Sequence, residues 1–346
     1  MKILAIDTSC DETSVAVTEG VKVLSNVVSS QVRFHKKYGG VVPFLAQRLH
    51  QERIDSVVEL ALQRAGATSN EIEAVAVTYG PGLAPALQVG VAKAKELAQE
   101  WHLPLYAVDH MAGHFASCLA QVGNRTKTEV QWPVLAVLAS GNHTELVLAE
   151  QFGKFQVLGQ TLDDALGEAY DKVGRMLGLG YPGGRLVALF AEEGNSERYP
   201  LPIPMQHSKD LNMSYSGLKN AVRLLVEKEQ PLTREKIKDI SASFERVAQA
   251  SLLLKITKVL KEYEVSSLFL AGGVSANNQL RKSLRSLVGK NGLVLHTPAN
   301  LKLCSDNAAM IGVAAFLGIK AGQKPVDPTV LDRKPSLTLD ESSILS

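Results

Sequence analysis

The chain has 346 residues, 45% hydrophobic and 21% charged, a balance that excludes a disordered or membrane-embedded protein and suits two domains of middling size. Its 37 Lys and Arg nearly cancel its 35 Asp and Glu, so no global field announces a nucleic-acid partner, although a local basic patch is enough to engage phosphates. The three cysteines, Cys10, Cys118 and Cys304, are odd in number and widely spaced, unlike a disulfide framework or a paired-Cys zinc motif.

A strand begins almost at once, at Lys2, which leaves no room for a targeting peptide, and no apolar run approaches the roughly 20 residues of a membrane span. A cytoplasmic location without membrane contact is therefore expected. Residues 4–19 (LAIDTSCDETSVAVTE) and 135–150 (LAVLASGNHTELVLAE) match without gaps, with five of sixteen positions identical. Each reads as strand, polar turn, strand, and the pair predicts an internal duplication in which each lobe opens on the same hairpin.

Between the copies, residues 47–64 carry apolar side chains at helical spacing and stop at Gly66. A buried strand is predicted over 72–78, a forced turn at Gly80-Pro81-Gly82, a helix over 89–100 and a strand over 105–108. In the second half, helices are predicted over 162–177, 241–263 and 278–287, with a strand over 268–271 running into Gly272-Gly273. The alternation implies mixed α/β sheets covered by helices. From residue 323 the chain is rich in Pro, Ser and Asp without periodicity, as in an extended or partly disordered tail.

Several clusters could carry chemistry. The first turn offers hydroxyls and backbone amides to phosphate oxygens, while Asp7, Asp11 and Glu12 suit a cation, a water or a substrate amine. Ser140-Gly141-Asn142-His143-Thr144 is its neutral counterpart. Paired glycines at 272–273, between a strand and a helix, permit a flat ligand against the backbone. His110 and His114, four apart, align on one helical face as a shared metal requires, and Asp109 stands beside them. Met111 occupies the place of the general-base Glu of zinc proteases, which argues against a peptidase. Asp306, near a helix start, is the chosen third ligand, its alternative role being that helix's N-cap. Asp164, Glu168 and Asp171 are expected on one helical face, a solvated acidic face or, beside Tyr181-Pro182-Gly183-Gly184, a contact for ligand hydroxyls. Arg33, His35, Lys36, Lys37, Arg48 and Arg53 form a basic set that suits either RNA or solvent.

Together these motifs resemble the tRNA adenosine threonylcarbamoyltransferase family, the TsaD/Kae1/Qri7 proteins. The matching pieces run in order from Lys2 to about Leu317 and include Gly39-Gly40-Val41-Val42-Pro43, Asp163-Asp164-Ala165, Ser214-Tyr215-Ser216-Gly217-Leu218-Lys219 and Cys304-Ser305-Asp306-Asn307. The resemblance implies an α/β fold of the actin-like ATPase (ASKHA) type, two duplicated lobes with a ligand cleft between them. The expected extents are 1–115 for the first lobe, rejoined by a returning helix near 306–321, then 116–305 for the second and 322–346 for the tail. It further implies transfer of a threonylcarbamoyl group from threonylcarbamoyl-AMP to the exocyclic amine of the adenosine 3′ of the anticodon in ANN-reading tRNAs. By match, His110, His114 and Asp306 hold one divalent metal (Fe2+ or Zn2+). Leu138, Ala139, Ser140, Gly141, Asn142, Asp171, Gly184 and Asn277 bind the adenylate, or ATP or ADP with Mg2+. Asp11 and Glu12 match acidic residues important for activity. The implied partners are tRNA, a TsaB-like paralogue and a TsaE-like ATPase. Two departures bear on substrate geometry: Asn142 stands where the family usually has a second glycine, and Phe44-Leu45-Ala46-Gln47 replaces Glu-Ile-Ala-Ser.

Overall fold

The computed structural model describes residues 1–123 and 129–342. Contacts divide the chain into two units: Met1–Val130, Ala149–Gln156 and Thr297–Ser346 form one, and Gln131–Leu148 with Val157–His296 form the other.

The first unit opens on β1 (Lys2–Asp7), β2 (Glu12–Glu19) and β3 (Lys22–Ser30), a short helix α1 (Val32–His35), and the long α2 (Pro43–Ala65). Pro43 starts α2, where its missing N–H costs nothing, and Gly66 in the left-handed region ends it. Then come β4 (Ala74–Gly80), α3 (Ala84–Glu100), β5 (Leu105–Asp109), α4 (His110–Ser117) and the edge strand β6 (Gln121–Val122). The six strands run β5-β4-β1-β2-β3-β6. The central strands β1 and β4 are buried except at Lys2 and Tyr79, as suits a helix-covered sheet, and Val57, Val58 and Ala61 of α2 with Val91, Ala94 and Leu97 of α3 pack on Leu4, Ile6, Val75 and Val77.

The second unit repeats the plan with β7 (Val134–Ala139), β8 (Thr144–Gln151) and β9 (Lys154–Gln160). There follow α5 (Leu166–Met176), α6 (Gly184–Ala191), α7 (Ser216–Lys228), α8 (Arg234–Glu262), β10 (Ser267–Ala271), α9 (Asn278–Lys290) and β11 (Val294–His296). Its strand order, β11-β10-β7-β8-β9, is that of β5-β4-β1-β2-β3 with every strand replaced by its counterpart. The directions agree too: β1 is parallel to β4, and β4 to β5, as β7 is to β10 and β10 to β11. Both hairpin turns, 8–11 and 140–143, have the same length. The core of this unit sets Leu135 and Val137 of β7 and Leu268 and Leu270 of β10 against Phe244, Val247 and Ala248 of α8.

The last helix, α10 (Ala308–Lys320), returns to the first unit, where Gly312 lies so close to β2 that a Cβ would come within 2.6 Å of Thr18 Oγ1. The tail is ordered as far as it is described, and residues 343–346 lie outside the described residues. Leu337 and Leu339 are buried, the Lys334 amide donates to the Tyr79 carbonyl at 2.7 Å, and the Gly82 amide donates to Pro335 at 3.1 Å. Periodicity could not foretell this, because isolated leucines and backbone bonds hold the segment rather than a regular face.

The helix expected over 162–177 begins four residues later, at Leu166, because Asp163 and Asp164 serve other elements. Asp163 caps α7: its carboxylate accepts from the Tyr215 amide at 2.8 Å and from the hydroxyls of Ser214 and Ser216 at 2.5 Å each. Asp164 meets Lys172 at 2.5 Å and Lys219 at 2.6 Å. Two of the motifs are thus each other's partners rather than a solvated acidic face. Asp163→Ala is expected to cost about 1–2 kcal/mol in a urea melt, as loss of a helix cap does. Burial alone would raise the pKa of Asp164, but the two lysines outweigh it and lower it below its ordinary 3.8. A carboxylate depressed on folding stabilises above its unfolded pKa and loses that contribution as pH falls through the folded value. The stability gap between the wild type and Asp164→Asn is therefore expected to be full at neutral pH and to close in acid.

Candidate metal centre and nucleotide-binding turn

The metal candidates all lie in the first unit. Asp109 ends β5 and caps α4, accepting from the amides of Met111 at 2.6 Å and Ala112 at 2.9 Å. This starts a helix at His110 and sets His110 and His114 one turn apart, with ring centroids 4.7 Å apart. Gly113, between them, lets α10 approach: a Cβ there would stand 2.6 Å from Ile311 Cδ1. That approach brings in Asp306, just before α10. The Ala308 amide, donating to Ser14 Oγ at 2.8 Å, ties the start of α10 to the first hairpin. The cap of α10 is Asn307, whose side chain accepts from the Met310 amide at 3.1 Å, so Asp306 is not spent on capping.

Asp306 Oδ1 lies 3.5 Å from His110 Nε2 and 3.3 Å from His114 Nε2. Ligands bound at about 2.1 Å to a tetrahedral ion sit roughly 3.4 Å from one another, a spacing that both Asp306–His distances match, and the three ligand atoms together lie within 4.8 Å. Neither ring nitrogen of the fully buried His114 has a hydrogen-bond partner, a costly arrangement that a metal at Nε2 relieves. Asp7 Oδ2 stands 3.6 Å from His110 Nδ1, beyond hydrogen-bond length, on the ring nitrogen not facing Asp306. Two imidazoles and one carboxylate suit zinc or iron. Burial disfavours an imidazolium at His110, yet Asp306 and Asp7 outweigh it and raise its pKa well above 6.5. At His114 burial prevails and lowers the pKa. Met111, at the place of the general-base Glu of zinc proteases, is buried.

The first turn, flanked by Asp7 and by Asp11 and Glu12, is held from both sides. Thr8 Oγ1 donates to the Ala86 carbonyl at 2.9 Å and accepts from the Gly90 amide at 3.1 Å, pinning it to α3. His50 of α2, which sequence reasoning missed, lies 2.8 Å from Thr13 Oγ1 through Nδ1 and 3.1 Å from the Cys10 carbonyl through Nε2. A carbonyl only accepts, so Nε2 carries the hydrogen and Nδ1 accepts from Thr13. Burial lowers the pKa of His50 and keeps it in that neutral form. Its two bonds flank Asp11 and Glu12. Glu12 accepts from Ser30 Oγ at 3.2 Å, and burial, then the charges of Asp11 and Asp306, push its carboxyl well above the usual range.

The nucleotide candidates all lie in the second unit and form one chain of contacts. Gly272, at φ +86°, abuts β7 so closely that a Cβ would stand 2.3 Å from the Ala139 carbonyl oxygen. In the same way a Cβ on Gly167 of α5 would meet the Ser140 carbonyl at 2.3 Å. Ser140 and His143 close the turn, the Ser140 amide donating to the His143 carbonyl at 2.8 Å. Further along α5, Asp171 accepts from the Gly184 amide at 2.7 Å, at the start of α6. Asn277 caps α9 through the Leu280 amide at 2.8 Å and donates to Glu245 Oε1 at 2.6 Å. Tyr170 donates to the same carboxylate at 3.1 Å. Leu138 and Ala139 are buried, whereas Gly141 and Asn142 are exposed with open space around Gly141. Asn142 is not at positive φ, so the side chain that replaces the usual glycine enters without strain. Glu245 and Gln249 of α8 were missed because a 29-residue helix of mixed polarity gives no sign of which polar residues face inward.

The profile of the family described as TsaD, tRNA N6-adenosine threonylcarbamoyltransferase, matches residues 22–313. The chain belongs to this family. It is 45% identical over 328 residues to the enzyme of that name from Bacillus subtilis, covering 93% of this chain and 92% of that one. It is 46% identical over 340 residues to the one from Halalkalibacterium halodurans, covering 98% and 96%. The family makes the protein a transferase with tRNA as its substrate. Among solved structures, full-length HypF in its phosphate- and nucleotide-bound form superposes with a TM-score of 0.60 at 14% identity, over 92% of this chain and 55% of that one. Component A of the (R)-2-hydroxyglutaryl-CoA dehydratase of Acidaminococcus fermentans gives 0.54 at 14% identity, over 93% and 100%. The fold is the actin-like ATPase fold, in keeping with the repeated strand order. Among the described residues no helix is long and apolar enough to cross a membrane.

Proposed function

We propose that this transferase moves the threonylcarbamoyl group of threonylcarbamoyl-AMP to the exocyclic amine of the adenosine 3′ of the anticodon in ANN-reading tRNAs, forming t6A. In this reading one divalent metal, iron or zinc, is held by His110, His114 and Asp306. The observation that carries it is the convergence of those three ligand atoms within 4.8 Å of one another in a member of this family. When bound, the ion supplies Lewis-acid stabilisation of charge on a donor oxygen.

The chain's own residues supply the rest. The backbone of 138–142, with Asp171, Gly184 and Asn277, holds the adenylate, or ATP or ADP with Mg2+. The close approach of Gly272 to Ala139 and of Gly167 to Ser140 fixes the strand end and the first residue of the turn, from which the donor is positioned. An aromatic amine is a weak nucleophile until its proton is accepted. Glu12, whose carboxyl is pushed upward, is a strong base once ionised, and Asp11 beside it is the second candidate. A TsaB-like paralogue and a TsaE-like ATPase are included as partners on the strength of the family, and the protein is placed in the cytoplasm.

The deciding assay combines protein, these partners, unmodified tRNA and threonylcarbamoyl-AMP, and reads modified adenosine by mass spectrometry. Absence of product with active partners would sink the assignment. Asp11→Ala and Glu12→Ala are each expected to slow single-turnover transfer by about 100-fold, the scale of one general base. Full rates in both would remove the proton-acceptor roles.

A further inference from the structure

The basic set noted in the sequence changes composition once its burial is known. His35 is buried, its Nε2 3.1 Å from Gln31 Oε1 and its Nδ1 accepting from the Val42 amide at 3.3 Å, so it presents no charge. Arg33, Lys36, Lys37 and Arg48 are exposed and Arg53 partly so. Among the described residues the exposed Phe, Tyr and Trp side chains are Phe34, Tyr38 and Phe44, at 38%, 56% and 77%, all within residues 34–44. Cations and rings are paired: Lys37 Nζ lies 4.9 Å from the Tyr38 ring centroid, and Arg53 Cζ 4.9 Å from that of Phe34. The one carboxylate between residues 31 and 53, Glu52, is taken up by Arg48 at 2.8 Å, which leaves the segment positive.

The segment is also bonded to the turn that carries Asp11 and Glu12. The Gln31 amide donates to the Asp11 carbonyl at 2.9 Å, and Arg53 donates to the Ser30 carbonyl at 3.3 Å beside the Ser30 hydroxyl that meets Glu12. We infer that Phe34, Tyr38 and Phe44, with Arg33, Lys36 and Lys37, form a surface that stacks unpaired bases of an RNA loop and holds its phosphates next to that turn. The inference rests on the transferase reading above. Exposed rings interleaved with cations are how proteins grip single strands, the rings taking base faces and the cations the backbone. A polypeptide partner would suit the rings and Arg33, which protein interfaces favour, but not Lys36 and Lys37, since the cores of those interfaces are depleted in lysine.

The test measures binding of unmodified tRNA by the full chain across a salt series, using two variants. The first, Phe34→Ala/Tyr38→Ala/Phe44→Ala, is expected to weaken binding by at least about 10-fold with the salt slope unchanged. The second, Lys36→Ala/Lys37→Ala, is expected to lower the slope of log affinity against log salt by roughly 0.7 per lysine. Metal content and thermal melting serve as controls for folding. If the wild type modifies and binds tRNA while both variants bind equally well, this inference fails and the transferase reading stands. If the wild type neither binds nor modifies tRNA, both fail. A triple variant that keeps tRNA affinity but no longer co-elutes with a protein partner would overturn the RNA assignment in favour of a polypeptide.

Discussion

Replacing His114 with alanine is expected to empty the metal site and to lower transfer by 100-fold or more. His114 is fully buried, neither ring nitrogen makes a hydrogen bond, and Asp306 Oδ1 stands 3.3 Å from Nε2, which is the environment the proposed ligand role requires. Losing even an outer partner of a metal ligand typically costs about 10–100-fold in affinity or activity, and losing one of three protein ligands costs more. The measurement is metal per chain after dialysis, followed by single-turnover transfer with and without added iron or zinc. Asp306→Asn keeps the shape but weakens the donor, so its metal content should fall between wild type and His114→Ala. Full occupancy in both variants would place the ion elsewhere.

The second large effect is expected at Gly272. Alanine there puts a Cβ 2.3 Å from the Ala139 carbonyl oxygen, and the backbone stands at φ +86°, where a side chain is strained. Neither neighbour is a flexible side chain, since β7 and β10 are paired from Ser267–Val134 to Ala271–Leu138. Strain and overpacking each cost about 1–3 kcal/mol, so about 3 kcal/mol together is the expected loss in a urea melt. Because the displaced atoms belong to the turn proposed to hold the adenylate, nucleotide affinity should fall as well. Gly273→Ala meets nothing within 4 Å and serves as the control. Similar melts for Gly272→Ala and Gly273→Ala would show that the two strand ends are not held as closely as they stand here.

Gly82 is the glycine that abuts the opening hairpin in the first unit. It too follows the parallel neighbour of the opening strand, and a Cβ on it would stand 2.6 Å from the Ser9 carbonyl oxygen. Each opening turn thus rests against a glycine, although the ladder registers place Tyr79, not Gly82, at the position of Gly272. Sixteen ungapped positions were enough to reveal the repeat because strand alternation and turn length are local properties. The remainder of each unit, β4 and β5 or β10 and β11, had diverged in sequence while keeping its order.

The class of the fold, the repeat, the long helices (though α2, α3 and α8 start four to seven residues earlier than periodicity suggests) and the two imidazoles on one helical face were legible in the sequence, whereas α1, α6 and α7 were not. The legible features follow from periodicities of two and 3.6 and from glycine and proline punctuation, all read within a short stretch of chain. Long-range pairing decided the rest. Asp306 is 192 residues beyond His114, and only the packing of α10 on α4 through Gly113 brings them to 3.3 Å. Asn307 rather than Asp306 caps α10, a distinction that spacing could not make. His50, Glu245 and Gln249 acquire their partners across folded layers, and Asp163 and Asp164 turn from an acidic face into a cap and an ion pair. The tail is held by carbonyls and two buried leucines, which leave no pattern in the chain. A polar side chain is placed by whatever group satisfies it, and in this protein that group usually lies far away in sequence.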